Sequence, residues 1–125
     1  MTYAVRFLET LHAAGRSAEI VVTPTGARCL SEECGLAPRD LVEKGDILHD
    51  PRDLGAAIAS GAHPTLGMVV IPATMGTCGR IAAGIGEDLV IRAAEVTIKE
   101  KRSLVLVLRE TPLTAIALEN LLTLA

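Results

Sequence analysis

The chain has 125 residues, 50% hydrophobic and 22% charged, with a formal net charge of -3. That is one domain's worth of chain with enough apolar content for a real core. Two aromatic residues (Tyr3 and Phe7), no Trp and no basic cluster exclude a base-stacking platform and a phosphate-backbone binder, so no nucleic-acid partner is expected.

In chain order, "TYAVRFLETLHAAG" carries apolar residues at helical spacing (Val5, Leu8, Leu11) and is closed by Gly15. "AEIVVT" reads as a short buried strand ending at Thr23, and "TGARCLSEECG" as a helix opened by Thr25 and stopped by Gly35. "APRDLVEKG" reads as a short helix, and "DILHD" as a short strand or extended segment. "DPRDLGAAIASG" has Asp50 as N-cap, Pro51 at the first helical position and Gly61 after the end, which predicts a helix. "LGMVVIP" is the second buried strand, followed by "TMGTCGRIAAGIG", a helix with glycine breaks. "EDLVIRAAEVTIKEKR" is a well-formed helix, "SLVLVLR" a third buried strand, and "TPLTAIALENLLTLA" a final helix. The third strand lacks alternation, which predicts a position inside a sheet covered on both faces.

Buried strands alternating with helices indicate an α/β protein, a three-layer parallel sheet with helices on both faces, within one domain over residues 1–125. Only three convincing strands are visible, which is thin for this class. No run of apolar residues approaches the roughly 18–20 that span a bilayer, and Arg6 and Glu9 interrupt any secretory opening. The expectation is a cytoplasmic protein without a membrane partner. Cys29, Cys34 and Cys78 fit neither a metal spacing nor a C-x-x-C pair, and His12, His49 and His63 are scattered, so no metal site is expected.

Open parallel sheets bind ligands beyond the carboxyl ends of their strands. Thr23, Pro24 and Thr25 follow the first strand; Ala73, Thr74, Met75, Gly76 and Thr77 the second; Arg109, Glu110, Thr111 and Pro112 the third. Hydroxyls, a helix N-terminus and an arginine at one edge suit an anionic, phosphate-bearing ligand. The plainer roles stand beside this: Thr25 and Thr74 as N-caps, Arg109-Glu110 as a solvated strand end. Arg92, Glu95 and Lys99 share one helix stripe, which alone reads as an exposed face with ion pairs. Glu32-Glu33 alone reads as surface charge.

"EDLVIRAAEVTIKEKRSLVLVLRETPL" closely resembles the flavin prenyltransferases of the UbiX type, whose pattern is D-x-L-x-x-R-A-A-x-V-x-x-K-E-x-R-x-L-V-x-x-x-R-E-x-P. "YAVRFLETL" is similar to that family's first helix, "TPTGARCLSEE" to its S-x-x-A-x-x-x-L-x-x-E segment, and "GMVVIPATMGTCGRIAAGIGEDL" to its P-C-S-x-x-T-L-x-x-I-x-x-G segment. The resemblance implies a flavodoxin-like (Rossmann-like) flavoprotein binding FMN and dimethylallyl monophosphate. Such enzymes join the prenyl group to N5 and C6 of reduced FMN without a metal, and the product serves a UbiD-type decarboxylase. By motif, Thr23 stands at a flavin-contacting serine, Thr74, Met75, Gly76 and Thr77 in the FMN-holding loop, and Arg109 at an FMN-contacting arginine. Glu110 matches the neighbouring active-site glutamate, Arg92 and Lys99 match basic residues near the allylic phosphate, and Glu33 matches a glutamate near the reacting flavin face. The resemblance also implies a homo-oligomer, a dodecamer in the family.

The family starts with a strand and a G-A-S-G loop, and closes with a further strand and P-x-x-P-x-F-Y. Met1 stands where that loop should end, and nothing after Ala125 supplies the closing segment. A sheet incomplete at both ends is therefore expected. Two other readings stay open: an FMN-dependent cysteinyl decarboxylase of the same fold, and an inactive truncated remnant.

Overall fold

The computed structural model describes residues 1–125, which gather into two compact units, Met1–Asp53 and Leu54–Ala125. The first unit contains helix α1 (Thr2–Ala13), strand β1 (Glu19–Val21), helix α2 (Pro24–Cys34), a 3₁₀ turn (Pro38–Leu41) and strand β2 (Ile47–His49). β1 and β2 pair in parallel, Glu19 opposite Ile47 and Val21 opposite His49. "DILHD" is therefore a strand, and "APRDLVEKG" tightens to a single 3₁₀ turn. Ile20, Leu30 and Leu41 form the core here, with Val5 and Leu8 of α1 packed against it. Burying a side chain such as Leu30 completely stabilises the unit by about 1.5–3 kcal/mol relative to leaving it in water.

α2 begins two residues earlier than expected. Thr23, not Thr25, is its N-cap: Gly26 N donates to Thr23 Oγ1 at 3.1 Å, and Pro24 fills the first helical position. Proline lacks the N–H that this position would leave unpaired, so the Thr-Pro pair starts the helix. Gly35, in the left-handed region at φ 68°, ends it.

The expected helix over 50–61 does not form. The Asp50 carboxylate instead accepts from Arg52 N at 2.9 Å and from the Arg52 guanidinium at 3.1 and 2.9 Å. Aspartate that binds a donor two residues on competes with the helix, and only a 3₁₀ turn, Ala57–Ala59, remains. His12, scattered from the other histidines in sequence, meets two carboxylates in the fold: its Nε2 lies 2.8 Å from Asp46 Oδ2 and its Nδ1 3.3 Å from Glu43 Oε1.

The second unit contains strand β3 (Gly67–Ala73), helices α3 (Met75–Ala83) and α4 (Leu89–Lys99), strand β4 (Ser103–Leu108) and helix α5 (Ala115–Leu124). β3 and β4 are parallel, in register from Gly67–Ser103 to Val70–Leu106. The register then shifts, so that Ala73 faces Leu108. Pro72 has no N–H to give the ladder, and the irregularity falls around it. α4 is capped by Asp88, whose Oδ1 accepts from Ile91 N at 3.0 Å, and it buries Leu89, Ile91, Ala93, Ala94, Val96 and Thr97. Apolar side chains of β3 and β4 meet these residues: Met68, Leu104 and Leu106 pack against Ile81, Ile91 and Ala94.

β4 is not covered on both faces. Leu104 and Leu106 point into the core, while Val105 is half exposed, at 50%. Successive strand residues face opposite sides, and the core of this unit packs against the side of Leu104 and Leu106. Each parallel sheet has two strands.

Candidate functional site

The β3–β4 pair brings most of the proposed cofactor-side residues to one edge. β3 leads directly into α3, and Thr74 between them caps the helix: Thr77 N donates to Thr74 Oγ1 at 3.1 Å, with the Thr77 hydroxyl 3.0 Å away. The plainer role of Thr74 is thus real, and it orients both hydroxyls at the strand end. Gly76 follows in the first turn, where an added Cβ would meet nothing closer than Thr74 Oγ1 at 3.8 Å, so the space beside this backbone is open.

β4 ends alongside. Arg109 N donates to Ala73 O at 3.3 Å, extending the ladder by one residue and setting Arg109 at the same edge. Glu110, 35 residues after Met75, accepts from Met75 N through Oε1 at 2.9 Å. The first N–H groups of a helix have no partner within it, and the helix dipole favours negative charge there. Glu110 answers both needs and ties the end of β4 to the start of α3. Both residues follow strand ends in the sequence, which carries no signal that they meet.

The charge of Glu110 reaches the buried Cys78 one turn into α3. Burial pushes the Cys78 thiol up, the Glu110 carboxylate adds to the rise, and a backbone hydrogen bond offsets only part of it. A thiol shifted upward stays protonated and is a poor nucleophile.

Arg92 and Lys99 lie two turns apart on α4 and are well exposed. Arg92 Nη1 is 3.6 Å from Glu95 Oε2, an i,i+3 pair. Lys99 Nζ is 3.3 Å from Glu100 Oε1, so the three-residue stripe is not one continuous ion-pair row. In the first unit, Thr23 is committed to the α2 cap, and the Glu33 carboxylate pairs with the Met1 amino group.

Arg102 was missed. Its guanidinium donates to His63 O and Gly61 O, both at 2.9 Å, and so holds the loop before β3 against the turn between α4 and β4. The fixed arginine in "KEKR" was the available signal, and its role here is structural. The donor set at the β3–β4 edge (threonine hydroxyls, the open backbone at Gly76, and Arg109) suits a group carrying phosphate and carbonyl oxygens, as FMN does.

No helix is long and apolar enough to cross a membrane. A curated relative, flavin prenyltransferase UbiX of Deinococcus radiodurans, is 41% identical over 120 residues, covering 96% of this chain and 62% of that protein. Among solved structures, that of AnUbiX (PadA1) in complex with FMN and dimethylallyl pyrophosphate superposes with a TM-score of 0.92 at 33% identity, over 96% of this chain and 64% of that one. A dodecameric FMN-dependent UbiX-like decarboxylase from Escherichia coli O157:H7 gives 0.90 at 40% identity, over 96% and 65%. The chain thus spans a little under two thirds of the length of these proteins, and its α/β fold is flavodoxin-like. The Flavoprotein family matches residues 1–125, the whole of the chain, and the chain belongs to that family.

Proposed function

We propose that this chain carries the core of a flavin prenyltransferase, which transfers the dimethylallyl group of dimethylallyl monophosphate to reduced FMN. The observation that carries the reading is the β3–β4 edge, where the Thr74-capped start of α3, Arg109 and Glu110 converge through the Met75–Glu110 bond of 2.9 Å. The likeness to proteins named flavin prenyltransferase supports it.

Thr74, Met75, Gly76, Thr77 and Arg109 would hold FMN, the threonine hydroxyls and the backbone at Gly76 through hydrogen bonds and Arg109 through its charge. Reduced FMN, when bound, supplies the nucleophilic N5 and C6 that receive the prenyl group. Arg92 and Lys99 stabilise the negative charge that gathers on the departing phosphate, more strongly where water is excluded. Glu110, steadied through Oε1 by Met75 N, presents a fixed carboxylate that can accept the proton lost at C6 or steady positive charge on the allyl group.

The same reading extends to partners and setting. A UbiD-type decarboxylase would take the product, and the working protein would be a homo-oligomer, supported by exposed Leu118 and Leu122 on α5. Unpaired Cys29, Cys34 and Cys78 fit the reducing cytoplasm.

The test is anaerobic incubation of the chain with reduced FMN and dimethylallyl monophosphate, read by mass spectrometry of the flavin. A mass gain of one dimethylallyl unit that is absent with Glu110→Ala is the expected result. Unchanged flavin, or carbon dioxide released from a cysteinyl peptide instead, would overturn the reading.

A further inference from the structure

Glu95 follows Arg92 by one turn of α4, with Oε2 3.6 Å from Arg92 Nη1. That is an ion-pair contact, longer than a hydrogen bond. The other oxygen, Oε1, is sealed from water and has no hydrogen-bond partner. A buried carboxylate oxygen left in that state is unfavourable, and a helix-surface glutamate would ordinarily escape by swinging into solvent.

Here the loop before α4 confines it. Gly86 lies directly over the carboxylate: an added Cβ would stand 2.9 Å from Oε2 and 3.3 Å from Oε1. The Gly86 φ is not in the left-handed region, so the missing side chain provides space rather than an unusual turn. The two partners differ in freedom. The Glu95 side chain is 21% exposed, whereas the Arg92 side chain is 48% exposed. A confined negative charge therefore sits beside a guanidinium that is half exposed. Arginine has five N–H donors in a planar fork, so one edge can rest on Glu95 while others take an oxyanion.

We infer that Glu95, confined by Gly86, is a positioning residue that orients the Arg92 guanidinium toward the phosphate of the allylic substrate. This rests on the role of Arg92 in the proposed function. A plain surface ion pair, by contrast, would leave Arg92 equally mobile with or without its partner.

Two measurements on the 125-residue chain test it. The first is ¹⁵N NMR of the Arg92 side chain without ligand, assigned with Arg92→Lys. Order at Arg92 Nε should fall in Glu95→Gln, which removes the charge, and in Gly86→Ala, which displaces the carboxylate. Equal mobility in the wild type and both variants overturns the inference. The second is prenyl transfer: Glu95→Gln should lower kcat by up to about 100-fold, with partial recovery in Glu95→Asp. Loss of transfer that merely tracks loss of helical circular dichroism also overturns it. If the wild type transfers nothing, the proposed function fails, while the NMR comparison still decides the role of Glu95.

Discussion

Single residues govern how the first unit responds to acid. The Asp46 side chain is fully buried and accepts from Ala18 N at 2.7 Å, from Glu43 N at 2.9 Å and from His12 Nε2 at 2.8 Å. Burial alone would raise its pKa, but the Glu43 and Ala18 N–H groups and His12 together outweigh that and hold it below the usual 3.8. With the folded value depressed, the unfolded chain binds the proton first as pH falls. The stability contributed by Asp46 is therefore fully present above 3.8 and is lost as pH drops below it. Denaturant melts between pH 6 and 3 should show that loss only at the acid end, and Asp46→Ala should remove it. At neutral pH the same change leaves two backbone donors without their acceptor and should cost about 3 kcal/mol. His12 and Asp46 are 34 residues apart, and neither carries a local signal of the other, so this contact was not legible in the sequence.

At the scale of elements, burial decides which apolar residues matter, and runs of similar residues differ sharply. Leu89→Ala on α4, where the side chain is fully buried, should cost about 2–5 kcal/mol in the unfolding free energy. Val105→Thr on β4 should cost less than about 1 kcal/mol, because that residue is half exposed. Equal costs at the two sites would mean that β4 is covered after all. The same contrast explains what could be read in advance. α4 was legible because Asp88, a stripe of buried apolar residues and Lys99 mark its start, face and end. The continuous apolar run of β4 identified a strand but could not distinguish one covered face from two. Residues 50–61 misled because Asp-Pro opens a helix or, as here, an aspartate turn closed on Arg52. The strand-end rule found Thr74, Arg109 and Glu110, since it depends on topology alone. It could not find the Met75–Glu110 bond, which depends on where β4 ends relative to α3.

For the molecule as a whole, the exposed apolar side chains call for cover. Leu118 and Leu122 stand one turn apart on α5, and Ile116 and Leu66 are exposed as well. Side chains of this size grouped on one helix face mark contact surfaces. If that face joins copies of the chain, as the proposed homo-oligomer needs, replacing both Leu118 and Leu122 with lysine should give smaller species than the wild type in sedimentation velocity, with helical content unchanged. Identical sedimentation would mean that this face joins no copies.

The central claim is that the β3–β4 edge holds FMN, and a flavin fluorescence titration of the 125-residue chain against its Arg109→Ala variant tests it most directly. A charge-assisted contact is worth about 1.5–3 kcal/mol, so the account predicts FMN binding by the wild type that weakens at least tenfold in the variant. Binding of equal strength in both, or none in the wild type, would contradict it.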